Sequence, residues 1–141
     1  MRPGIYRLAL VSSSCRLWPL AAATLAALAL AGCGAGRTVR LTGHTLRLTL
    51  QEYRILPQTA SVPAGSLRIV ACNRGTLTHN VALQRGTLDS DERTTLAVVP
   101  TLLPDRCGTT LTQPLLPGRY LLTSTVGNQA VLGMAATLVV R

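Results

Sequence analysis

The stretch Leu115–Val140, "LLPGRYLLTSTVGNQAVLGMAATLVV", decides how this chain folds. Pro117-Gly118 is a turn signal, because proline presets its own φ and glycine takes backbone conformations other residues avoid. "RYLLTSTV" (119–126) follows it, an apolar and β-branched run of strand length, and "AATLVV" (135–140) is a second such run. The loop between them turns through Gly127-Asn128 and closes on Gly133-Met134. It reads as a binding loop held between two strands.

Upstream the same pattern repeats. "TLRLTLQEY" (45–53) alternates Leu46, Leu48 and Leu50 with Arg47, Thr49 and Gln51, the period of a strand with one buried face. "QTASV" (58–62) ends at the turn Pro63-Ala64-Gly65, and "SLRIVACN" (66–73) and "HNVALQ" (79–84) follow. "TTLTQPL" (109–115) is a strand whose Pro114 belongs at an edge. Residues 87–106 are the least regular, and a loop with one helical turn and a short strand is expected there. The sum is seven or eight short strands with turn signals at roughly 8–12-residue spacing, and no long amphipathic helix interrupts them. The fold class is therefore all-β, an antiparallel Greek-key β-sandwich over residues 45–141.

Composition limits the function. Apolar residues make up 48% of the 141, but aromatics only 3%, and Phe is absent, so the core must be Leu, Val, Ile and Ala. The net charge is +9, and all 14 basic residues are Arg. From Arg37 onward 11 Arg face 5 acids, leaving +6, and these Arg are scattered singly. With few aromatics to stack on bases and no basic run, nucleic acid is not a partner; a solvated basic surface is the first reading and mild attraction to an anionic membrane the second. Asp89, Asp91 and Glu92 lack the spacing of a calcium loop and read as solvated.

The first 32 residues read as an address. Arg2, Arg7 and Arg16 precede the uncharged run "LWPLAAATLAALALAG" (17–32). A basic segment followed by an apolar helix is the layout of a secretory signal, and 16 apolar or small residues are short for a spanning helix, which needs about 20. The run ends in Leu30-Ala31-Gly32-Cys33, which resembles the lipobox of bacterial lipoproteins. That resemblance implies cleavage before Cys33 and acyl chains, palmitate among them, on its thiol. It makes membrane lipid a partner and places the protein on a cell membrane, lipid-anchored and facing outside the cytoplasm, in the periplasm or at the cell surface. Each buried methylene adds about 0.8 kcal/mol to such anchoring. Residues 33–44, rich in Gly and small polar side chains, then read as a flexible tether.

Of four Cys, Cys15 goes with the signal and Cys33 takes lipid, leaving Cys72 and Cys107. In an exported protein these are a disulfide candidate closing a loop of about 36 residues, worth about 3–4 kcal/mol. Two metal thiolates are the rival reading, disfavoured because neither lies in a C-x-x-C.

Two segments together resemble the cupredoxins. "SVPAGSLRIVACNRGTLTHNVAL" (61–83) is similar to the first half of that fold, with Ala64-Gly65 at a turn, Asn73 ending a strand, then Gly75, and His79 opening the next strand. Leu115–Val140 is similar to the second half, with Pro117, Gly118 and Tyr120 at a corner and Gly133-Met134 closing the loop. A blue-copper centre takes two His, one Cys thiolate and a long axial Met, and the resemblance implies that the loop supplies Cys, His and Met in the spacing C-x4-H-x4-M. Here that spacing reads Ser124, Gln129 and Met134, with His79 upstream. Two ligand positions are degenerate: a serine hydroxyl does not ionise near neutral pH, and a neutral amide oxygen is a weak ligand. Each residue also has a plainer role: His79 as a hydrogen-bonded structural residue, Met134 as core filler, Asn73 as a brace for loops, His44 as a surface residue beside the tether. Ser124 has no evident His–Asp relay, so a hydrolase is not expected.

Three readings follow in order. The first is a non-enzymatic lipoprotein whose cupredoxin-like domain lacks a cofactor and serves as a binding or assembly module for a protein partner. The second is a copper-handling protein that holds copper ion through His79 and Met134. The third is an electron-transfer cupredoxin.

Overall fold

The structure is a computed structural model, and it describes residues 37–89 and 92–141. The signal segment 1–32 with its expected helix, Cys15, Cys33 and Asp91 lie outside the described residues. Ten strands make two sheets among the described residues, and no helix there is long and apolar enough to cross a membrane.

The smaller sheet has the order β3-β2-β5-β8, built from β2 (Thr45–Gln51), β3 (Arg54–Leu56), β5 (Arg68–Asn73) and β8 (Cys107–Leu111). The larger sheet runs β1-β4-β10-β9-β6-β7, from β1 (Val39–Arg40), β4 (Thr59–Val62), β6 (His79–Arg85), β7 (Thr94–Leu102), β9 (Gly118–Thr123) and β10 (Ala135–Val140). Strand alternation explains the layering. In β2 the three leucines are buried while Thr45, Arg47 and Gln51 face out. Leu46, Leu48, Leu50, Ile69 and Ala71 of the smaller sheet join Val81, Leu83, Leu122 and Leu138 of the larger one in a single core. Each buried Leu, Ile or Val contributes about 1.5–3 kcal/mol of transfer free energy. The aliphatic core that the composition demands is what the sandwich contains, with Tyr120 as its buried aromatic.

Not every neighbour runs antiparallel. β2 pairs parallel with β5, and β4 parallel with both β1 and β10. After β3 the chain crosses to the larger sheet as β4 and returns as β5 beside β2. A crossover of that kind leaves its two flanking strands pointing the same way.

Three differences from the sequence reading have local causes. Residues 87–106 hold a nine-residue strand, β7. Its alternation is broken because its pairing with β6 shifts register between His79 and Val81, where Val99 and Leu102 are the partners, and Pro100 falls in that bulge. Proline is tolerated there because β7 is an edge strand. β1 and β3 have two and three residues, too few for periodicity to show. β1 also lies within the expected tether: Val39–Arg40 pairs with Ala60–Ser61, and the Arg141 guanidinium donates to Leu41 O (2.6 Å) and Ser61 Oγ (3.1 Å).

Candidate functional site

β6 opens on His79, at the register shift that frees its neighbours from strict pairing, and the imidazole is completely buried. The loop after β9 closes over it. Ser124 N donates to Met134 O (3.1 Å) and Met134 N to Gln129 O (2.9 Å), so the loop is fastened to itself by its own backbone. Gly133 sits at φ 113°, a conformation in which a side chain would be strained, and it carries the turn back into β10. Thus Ser124, Gln129, Met134 and His79 are all buried at one end of the sandwich.

Their side chains form a closed network. The Gln129 amide nitrogen donates to Thr78 O (2.9 Å), which fixes the amide orientation and turns Oε1 inward. Oε1 then accepts from the Ser124 hydroxyl (2.8 Å) and faces His79 Nδ1 at 2.9 Å. Because that oxygen can only accept, Nδ1 carries the proton. Ser124 Oγ also lies 3.1 Å from Asn80 Oδ1 and accepts from Val126 N (3.2 Å). Asn80 extends the network to Thr125, accepting from its N–H (2.8 Å) and donating to its Oγ1 (2.8 Å). Among the described residues no buried side-chain nitrogen or oxygen lacks a partner.

On the other side of the ring stands Glu52, two residues beyond Leu50 of β2. Its Oε1 accepts from Thr76 N and Leu77 N, both at 2.6 Å, and lies 3.3 Å from His79 Nε2. The bond from Leu77 N above all, helped by Thr76 N and His79, outweighs partial burial and lowers the carboxyl from 4.5 to about 2. Both imidazole nitrogens therefore lie within hydrogen-bond distance of an oxygen, one of an amide and one of a carboxylate. Glu52 leaves so little room that a Cβ on Gly75 would collide with its carboxylate. Asn73 braces the same turn, donating to Leu77 O (2.7 Å) and Leu102 O (2.9 Å) and accepting from Gly75 N (2.9 Å).

The other residues singled out in the sequence fall elsewhere. Cys72 and Cys107 are bonded to each other as directly opposed partners of β5 and β8. His44 precedes β2, while Glu52 follows it, so His44 sits at the far end of a strand roughly 25 Å long. Sequence reasoning did not find Glu52: nothing local in "LQEYR" announces hydrogen bonds to residues 24 to 27 positions away.

The donor set does not match a blue-copper centre. No thiolate stands in the loop, the two described cysteines are tied to each other, and no group of three or more His, Cys, Asp or Glu side chains converges among the described residues. What the arrangement can do is hold a buried imidazole between an amide and a carboxylate.

No family model matches the chain, and no curated protein sequence matches it. Solved structures do. Reduced auracyanin from the photosynthetic bacterium Roseiflexus castenholzii superposes with a TM-score of 0.64 at 18% identity, covering 72% of this chain and 99% of that one. Auracyanin A, a "blue" copper protein from Chloroflexus aurantiacus, gives 0.60 at 18% identity over 72% and 99% of the two chains. Reduced rusticyanin gives 0.55 at 16% identity over 79% and 89%. Identities this low speak to the fold alone. The described part of this chain has a cupredoxin-like fold.

Proposed function

We propose that this protein is a lipoprotein anchored through Cys33 outside the cytoplasm, and that its cupredoxin-like domain serves as a binding or assembly module and carries no blue copper. The observation that supports this most is the closed network at the loop end. Gln129 and Ser124, at the second-imidazole and thiolate positions, complete each other's hydrogen bonds and His79's. Such satisfaction stabilises a buried polar cluster without any metal. The protein is not an enzyme on this reading: the Ser124 hydroxyl contacts Gln129 and Asn80 and no imidazole, so nothing activates it as a nucleophile.

A second reading, copper handling through His79 and Met134, draws on the burial of both side chains at the same loop end. Copper titration of the purified chain, followed by visible absorption, native mass spectrometry and thermal melting, separates the readings. No stoichiometric copper and no shift are expected. Saturating copper at 100 times its Kd would stabilise the fold by about 2.7 kcal/mol. A one-to-one complex abolished by His79→Ala, without an intense thiolate band, would establish copper handling instead. An intense band would establish an electron carrier.

A further inference from the structure

The outward face of the smaller sheet carries charge of one sign only. Reading across the register, its outward rows are Thr45–Arg68–Leu111, Arg47–Val70–Thr109, Leu56–Thr49–Cys72–Cys107 and Gln51–Arg54. Arg47, Arg54 and Arg68 are exposed, and none of them has an ion pair among the described residues. No row carries a carboxylate. Exposed Leu56 and Leu111, the latter 63% accessible, stand at the two edges of the face. The described acids lie elsewhere: Asp89 and Glu92 between β6 and β7 of the other sheet, Asp105 against Arg74, and Glu52 beneath the Thr76–Leu77 turn. The outward side of the larger sheet differs in arrangement: Leu121, Ala135 and Thr137 are neutral there, and its arginines share a single row, Arg40–Ser61–Val139–Arg119.

We propose that this face lies against an anionic phospholipid surface. Three exposed guanidinium groups on one sheet face, without an ion pair among the described residues, suit a plane of phosphates, since each guanidinium offers a planar fork of donors. Edge leucines suit the boundary between headgroups and acyl chains. The absence of aromatic side chains from the face disfavours a nucleic-acid strand, which would stack on them. Membrane contact of this kind holds the domain flat, with the His79 end at the side of the sandwich and not pressed into lipid.

The inference rests on the membrane anchoring proposed above, and its test keeps the two apart. The full chain is purified in detergent and reconstituted into vesicles of phosphatidylcholine alone or mixed with phosphatidylglycerol. Flotation reports anchoring, and hydroxyl-radical footprinting by mass spectrometry reports the face. Expected is protection of Val70 and Leu111, but not Val98 of β7, on the anionic vesicles only, with loss of that protection at high salt. The double variant Arg47→Gln/Arg68→Gln should float as before and lose the protection, while Arg119→Gln in the larger sheet should keep it. Equal footprints on both kinds of vesicle, with flotation intact, would overturn the docked face and leave the anchor standing. Failure to float on either vesicle would overturn the anchor itself. Salt-sensitive protection of Val70 and Leu111 on added anionic vesicles in that case would still sustain the face, and its absence would overturn it.

Discussion

Gln129 is the residue on which the loop end turns. It bonds to His79, Ser124 and Thr78 at once. Gln129→Leu keeps the volume but strands Nδ1 of the ring and the Thr78 carbonyl. A loss of about 3 kcal/mol is expected, read as a lower urea midpoint. Glu52 acts on the ring's other nitrogen and brings a pH dependence. Its folded-state carboxyl titrates near 2, against 4.5 for a free one, so the unfolded chain takes up the proton first as pH falls. The stabilisation is complete above pH 4.5 and is lost as pH falls through about 2. The melting-temperature gap between the native chain and Glu52→Gln should therefore be widest above that window and close within it. Ser124, Gln129, Met134 and His79 came as a set from the resemblance to the cupredoxins, whose ligand spacing picks them out. Glu52 was not, because its contacts join a strand end to a turn that only the folded sheet brings near.

Among the elements, β5 and β8 carry the covalent link. Cys72 and Cys107 are 35 positions apart and directly opposed across the pair. Loop-closure entropy sets their contribution at about 3–4 kcal/mol. Cys72→Ala/Cys107→Ala should lower the unfolding free energy by that amount in denaturant titrations, and reduction of the native chain should do the same. Alternation in β2, β5 and β10 exposed those strands to sequence reading. β7 escaped it, since a bulge around Pro100 scrambles the period, and β1 and β3 are too short to have one. Parallel pairs escaped for a different reason: direction depends on where the chain crosses between sheets, and no residue pattern within a strand records that.

For the molecule as a whole, turn chemistry and strand spacing were enough to give the sandwich. What they could not give is the distribution of charge over its faces, because an arginine in a strand belongs to one side or the other only once register is known. The positive charge of the described strands then divides between the sheets, with Arg47, Arg54 and Arg68 on the smaller and Arg40, Arg85 and Arg119 on the larger.

The clamp on β1 also has a mechanical meaning. Two residues of strand and one guanidinium, from Arg141, secure Val39–Leu41 against β4. Traction applied through the preceding segment would be met there first. Val39 and Arg40 would peel away while β2 and the leucine core stayed shut, because two residues of pairing and one guanidinium hold far less than the buried leucines behind them.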